Sequence, residues 1–232
     1  MSNYLLFIGD SITEGKLGIN FVDMIKCRYP DYCYHNKGKG GDTLLEVIER
    51  LVKILKEDRH QYFVIVIEAG HNDILLPYIK QRWSFMNIKK VTPITQMGTL
   101  LDQSLKTISS LTTAKIILTT LSCIGEIYNS QLNQKRRLIN EQIERVGYKY
   151  NTHIADVSTA FDEIIINSSS SSYFLDNPIN LAIDYFRSKK SRWADKISGR
   201  RNLNLTIDGA HLNNKGAQIY CREISKILDN LL

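Results

Sequence analysis

The amino-acid sequence predicts an α/β fold built on a parallel sheet with helices on both faces. Three observations predict it. Short apolar runs alternate with amphipathic segments along the chain. The runs are continuous rather than alternating, as in strands covered on both sides. Strand followed by helix recurs about five times, the order that parallel crossovers generate.

Residues 4–8 give the first strand, short and apolar. Residues 32–35 give a weaker one. The helix over residues 43–56 places Leu44, Leu45, Val47, Ile48, Leu51, Val52 and Leu55 on one broad face, with Asp42 or Thr43 as its N-cap. Residues 62–67 (YFVIVI) form the strongest strand, rich in β-branched and aromatic side chains. Residues 75–93 hold Pro77, Trp83, Phe85 and Pro93 and read as a long structured connection. A helix over 96–111, a strand over 115–121 (KIILTTL), a helix over 131–148 and a weaker strand over 153–157 follow. Residues 167–205 break the pattern with the run Ser168 to Ser172 and a basic stretch over 187–201. Segments of this length are lids, binding loops or mobile connections, and the serine run reads most simply as a flexible surface loop. A helix over 215–231 completes the order. No internal repeat or Pro/Gly linker divides the chain, so residues 1–232 are expected to form a single domain.

Composition agrees with a globular chain. Of 232 residues, 43% are hydrophobic and 23% charged. A chain of this length buries roughly 70–75% of its unfolded surface, enough for a core without staples. Cys27, Cys33, Cys123 and Cys221 form no C-x-x-C pair and no zinc spacing, and are expected as reduced thiols. The start, MSNYLLFIGDS, lacks the basic and long apolar regions of a signal peptide. No apolar stretch is long enough to span a membrane. A cytoplasmic protein is expected. The net charge of +6 can favour anionic partners, but in a domain of this size it more often reflects Lys-rich solvated surface. No nucleic-acid partner is expected, and association with a membrane surface is the less favoured reading. The seven Lys and Arg of 187–201 face one acid, Asp195, and read first as a solvated helix.

Four short blocks carry chemistry. Gly9-Asp10-Ser11, inside FIGDSITEG, follows the first strand, where open α/β sheets bind ligands. Read alone, Asp10, Ser11 or Thr13 can equally cap a helix. NKGKGGDT (36–43) can aim backbone N–H groups at an anion, or be a plain turn; the spacing of a phosphate loop is absent. EAGHND (68–73) follows the strongest strand. Asn72 can direct its amide at a developing oxyanion and Asp73 can hold the loop in shape, or the pair can form an Asn-Asp turn. His71 lines a pocket or is a packed loop histidine. TIDGAHLNNKGA (206–217) sets Asp208 three residues before His211, a spacing at which a carboxylate can orient an imidazole, though each residue alone is ordinary in a turn. His35, His60 and His153 read as structural or surface residues, and no metal constellation is evident.

Together the blocks fall at strand-to-helix junctions or on the C-terminal loop, in the order Ser, Gly, Asn, Asp, His. In this the sequence closely resembles the GDSL/SGNH hydrolase family, marked by G-D-S near the start, a glycine in a block like N-x-x-x-x-G-D-T, G-x-N-D, and D-x-x-H near the end. The resemblance implies a three-layer α/β/α sandwich of flavodoxin-like type with a parallel sheet of about five strands. It implies hydrolysis of an ester or thioester with no metal or organic cofactor. Carried over by position, Ser11 is the nucleophile, His211 its base and Asp208 the residue that orients the base. The N–H groups of Ser11 and Gly41 and the Asn72 side chain form the oxyanion hole, with Asp10 and Asp73 in support. The substrate is a small-molecule carboxylic ester: a small acyl ester, an acetylated carbohydrate or a lysophospholipid. An acyltransferase using the same triad and a non-catalytic carbohydrate- or lipid-binding module are the alternatives. The α/β-hydrolase type of serine enzyme needs G-x-S-x-G, which the chain lacks.

Overall fold

The strands are β1 (Tyr4–Gly9), β2 (Cys33–Gly38), β3 (Tyr62–Glu68), β4 (Lys115–Thr119) and β5 (His153–Ala155). They form one parallel sheet in the order β2-β1-β3-β4-β5. The computed structural model describes residues 3–58, 60–82, 91–175 and 191–232. The helices among them are α1 (Ser11–Glu14), α2 (Phe21–Arg28), α3 (Leu44–Glu57), α4 (His71–Arg82), α5 (Ile94–Leu111), α6 (Gln131–Lys149), α7 (Val157–Ile166), α8 (Ser191–Arg200) and α9 (Asn214–Leu231).

The period of two along β1 makes the three layers. Leu6 and Ile8 point into a core shared with Val47 and Leu51 of α3, Leu101 and Leu105 of α5, and Ile139 of α6. Leu5 and Phe7 point the other way, against Phe21 and Ile25 of α2, Phe161 of α7, and Tyr220 and Ile224 of α9. Both faces of β1 and β3 are therefore dry, which is why their sequences are unbroken apolar runs. Emptying one position, as in Leu51→Ala, should cost about 2–5 kcal/mol.

The chain steps from β1 outward to β2, then crosses back to β3 on the other side of β1. That reversal opens a crevice beyond the carboxyl ends of β1 and β3. Gly9 and Glu68, register partners, end the two strands at its floor.

Several elements differ from expectation. The edge strand β2 runs three residues past the expected end, so 36–38 of the glycine block belong to the sheet; its side chains are half-buried or exposed. Thr120 and Leu121 leave the sheet, and Val157 opens a helix rather than ending a strand. Thr43, not Asp42, caps α3, in a reciprocal capping box with Glu46. The expected connection over 75–93 is helical through Arg82. Pro77 lies inside that helix, removing only its own N–H from the ladder. Trp83 and Phe85 lie outside the described residues. The serine run is tied down: Asn202 donates to the Ser169 carbonyl at 2.8 Å, and Ser170 donates to Glu126 at 3.0 Å. Of the basic stretch, α8 buries Ala194, Ile197 and Ser198 and turns Arg192, Lys196 and Arg200 to solvent, as a solvated helix does. Arg187, Lys189 and Lys190 lie outside the described residues. All four cysteines are free thiols. Among the described residues no helix is long and apolar enough to cross a membrane.

Candidate active site

Ser11 is the first residue of α1, directly beyond β1. Asp10 caps that helix, accepting the Ile12 N–H at 2.9 Å. Both readings of G-D-S hold at once: the aspartate caps, and the serine it positions faces the crevice.

The acid–base turn arrives from the far end of the chain. His211 Nε2 lies 3.1 Å from Ser11 Oγ, and His211 Nδ1 lies 2.7 Å from Asp208 Oδ2. The other Asp208 oxygen accepts the N–H groups of Ala210 at 3.0 Å and His211 at 2.8 Å. Burial alone would raise the Asp208 carboxyl. The His211 imidazole and these hydrogen bonds outweigh it and hold Asp208 below the ordinary carboxylate value. An ionised Asp208 places the imidazole proton on Nδ1 and leaves Nε2 as a proton acceptor toward Ser11.

Gly41 and Asn72 follow the two strands beside β1. Gly41 takes φ +79°, a left-handed conformation that favours glycine. Its neighbours' N–H groups are engaged: Gly40 donates to Glu14 Oε2 at 3.2 Å and Asp42 to the Lys39 carbonyl at 3.2 Å. Asn72 stands in the first turn of α4, not in a loop or an Asn-Asp turn. Its amide donates to the Asp42 carbonyl at 2.9 Å and to Asp10 Oδ2 at 3.3 Å. Asp73 accepts the N–H of Leu44 at 2.8 Å and of Thr92 at 3.0 Å, so it ties α4 to the start of α3 and to the connection ahead of α5.

A match to a protein-family model settles the family. The model describes a GDSL-like lipase/acylhydrolase family and matches residues 7–219. The chain belongs to the GDSL-like lipase/acylhydrolase family. It is an ester hydrolase of that family, and its sheet is the one expected from the resemblance. Solved structures share the fold. An acetyl xylan esterase, AlAXEase, superposes with a TM-score of 0.67 at 15% identity, over 97% of this chain and 99% of that one. Axe2, an acetylxylan esterase from Geobacillus stearothermophilus, gives 0.61 at 19% identity, over 97% and 93%. LAE5, an alpha/beta hydrolase enzyme from the metagenome of Lake Arreo, Spain, gives 0.65 at 17% identity, over 100% and 98%. No curated protein matches this chain in sequence.

The GDSL-family site rests on residues the motifs do not mark. Arg50 of α3 donates to Asp42 at 2.6 Å, to the Lys37 carbonyl at 2.5 Å and to the Gly9 carbonyl at 2.9 Å, clamping the glycine loop to the end of β1. Buried Glu126 accepts the N–H groups of Asn204, Leu205 and Thr206 at 2.6, 2.9 and 2.9 Å, just ahead of Asp208. Leu175 N–H reaches the Asp208 carbonyl at 2.9 Å. Beside this turn lies a cavity of about 400 Å³, partly walled by Tyr78, Ile124, Leu132 and Phe174. Nothing in the sequence marks Glu126, which stands after Gly125 in the connection between β4 and α6.

Beneath Ser11 sit Asp10, Glu68 and His71, all buried. His71, a packed histidine, bridges Glu68 at 3.0 Å and Ser122 at 3.1 Å. His35 and His60 also have partners: His35 meets the Tyr62 hydroxyl at 2.8 Å and His60 meets Asp58 at 2.5 Å, near the opposite ends of the strands. Each group has the donor types of a metal site; in the first His71 is bonded to Glu68, and in the second His60 is bonded to Asp58 while the Tyr62 hydroxyl links Asp58 to His35.

Proposed function

We propose that this hydrolase cleaves a carboxylic ester through an acyl-Ser11 intermediate, with an acetylated carbohydrate as the substrate class. The observation that carries the reading is the unbroken chain Asp208–His211–Ser11, at 2.7 and 3.1 Å. A serine hydroxyl is a weak nucleophile until a base removes its proton as it attacks. His211 takes that proton, Asp208 holds the imidazole in the accepting tautomer, and the carbonyl carbon of the ester becomes tetrahedral. The negative oxygen is met by the N–H groups of Ser11 and Gly41 and by the Asn72 amide. His211 then returns the proton to the departing alcohol, and water repeats the sequence to release the acid. Acetylated xylan esters are named for two of the structural neighbours, which supports a small acyl group on a sugar over a lysophospholipid.

A fluorophosphonate probe should label the protein and spare Ser11→Ala. Labelling that survives in Ser11→Ala would sink the assignment of the nucleophile. Asn72→Ala should lower kcat by about 10²- to 10³-fold with a smaller change in KM. Rates on p-nitrophenyl esters should fall as the acyl chain lengthens, and acetylated xylooligosaccharides should release acetate. Faster turnover of long-chain or lysophospholipid esters would overturn the substrate class.

A further inference from the structure

At the opposite edge of the sheet from Ser11, three side chains able to bind a metal meet. His35 comes from the edge strand β2, Asp58 caps α3 at its carboxyl end, and His60 stands two residues before β3. The fold brings one ring nitrogen of each histidine and an Asp58 oxygen within 4.8 Å of one another. Two imidazoles with one carboxylate suit a transition ion such as Zn²⁺. Ca²⁺ and Mg²⁺ take oxygen donors instead.

The surroundings brace these donors. The buried Tyr62 hydroxyl donates to Asp58 Oδ2 at 2.5 Å and lies 2.8 Å from His35 Nδ1, so one group orients two of the three. Metal ligands are ordinarily oriented by such groups behind them. The Tyr4 ring packs against both imidazoles, its centroid 5.2 Å from that of His35 and 4.4 Å from that of His60. Burial, and then the second imidazole, hold His35 below the ordinary histidine value, which leaves it a lone pair at neutral pH. The Tyr62 hydroxyl is first among the groups that hold Asp58 well below the usual carboxylate range, as a ligand carboxylate must be. A tetrahedral ion with bonds of about 2 Å sets its ligands roughly 3.3 Å apart. His60 is exposed, and its ring can swing by the small amount that entry of an ion needs. A surface cleft of about 630 Å³ opens onto Asp58, His60 and Tyr62 and gives the ion a path from solvent.

We propose that His35, Asp58 and His60 form a binding site for a divalent transition-metal ion of the zinc type, with Tyr62 as the residue that positions two of the ligands. The ion takes the place of the proton between His60 and Asp58, which passes to solvent, and water completes the coordination. Held by all three, it ties the edge strand β2 to the turn that joins α3 to β3. The site is separate from Ser11, and its role is to fasten that edge of the sheet.

Tag-free protein titrated with ZnCl₂ in a calorimeter tests the proposal. One ion per chain is expected, and excess Zn²⁺ should raise Tm by a few degrees where equal Mg²⁺ does not. Tyr62→Phe, which removes only the brace, should weaken binding about 10- to 100-fold, and His35→Ala, Asp58→Asn and His60→Ala each by at least as much. His211→Ala should bind as the parent does. Absence of Zn²⁺ binding, or parental affinity in His60→Ala, would overturn the proposal. So would a loss confined to His60→Ala, the mark of a lone surface histidine, or a loss in His211→Ala alone, which would put the ion beside Ser11. Should the His35 and Tyr62 variants fail to fold, nuclear magnetic resonance of the parent's histidine rings decides. Zn²⁺ should move the His35 and His60 signals together and leave His153 and His211 in place; any other pattern overturns the proposal.

Discussion

The Ser11 turn and the His211 turn are built alike and behave oppositely. Each opens on a buried aspartate that accepts the N–H two residues on, Ile12 for Asp10 and Ala210 for Asp208. Each is followed by a working side chain, Ser11 or His211. Yet burial raises Asp10, beside a second carboxyl, while an imidazole and two backbone N–H groups hold Asp208 low. The same residue in the same local motif is thus pushed toward the acid form in one place and toward the carboxylate in the other. Burial, with Glu68 from a distant segment beside it, sets the direction for Asp10; the imidazole three residues on sets it for Asp208. The two turns also differ in support. The first grows out of β1, an interior strand of the sheet. The second has no strand beneath it and hangs on the side chain of Glu126.

The largest break in this comparison should come at the ionised aspartate. Asp208→Asn permits the wrong imidazole tautomer and should lower kcat by about 10⁴-fold, read by p-nitrophenyl acetate hydrolysis. A loss below tenfold would show that His211 needs no orienting partner.

The support of the second turn comes next. Glu126→Ala leaves buried backbone donors without an acceptor and should destabilise by about 3–5 kcal/mol in urea unfolding. Activity should fall with it, because Asp208 lies two residues beyond Thr206. A stable, fully active Glu126→Ala would mean that the turn stands without its strut.

The smallest effect separates the two aspartates by pH. A carboxyl raised in the fold takes stability away as pH rises above its unfolded value, because the unfolded chain ionises first. Asp10→Asn should therefore gain in Tm relative to the parent between pH 4 and pH 8, by a few degrees. Asp208 is lowered, so its contribution is present above the ordinary carboxylate value and is lost as pH falls through the folded one. Asp208→Asn should accordingly lose Tm over the same rise from acid pH. Parallel pH profiles for the two variants would erase the distinction.

Much of this was legible in the chain. YFVIVI could be little but a buried strand, and the apolar face of α3 with its Thr43 cap marks both the helix and its start. The spacing of Asp208 and His211 speaks for itself, because three residues is the reach of one turn. Local pattern does not report what distant segments do. Pro77 argued for a connection, yet the flanking residues of α4 pack well enough to carry a proline. The serines of 168–172 look like a linker until Glu126 and Asn202 meet them across the fold. His71 has Glu68 three residues before it, but carries no local sign that Ser122 will hold its other nitrogen.

Two hundred positions of chain separate Ser11 from the imidazole beside it. During synthesis the nucleophile emerges early, with β1 and its cap, and waits for its base. Any chain cut short before residue 206 has a serine and an amide for the oxyanion but no acceptor for the hydroxyl proton. On the proposed mechanism ester cleavage therefore needs α9 packed against α2 with the preceding turn over the crevice, so that turnover would certify a finished fold.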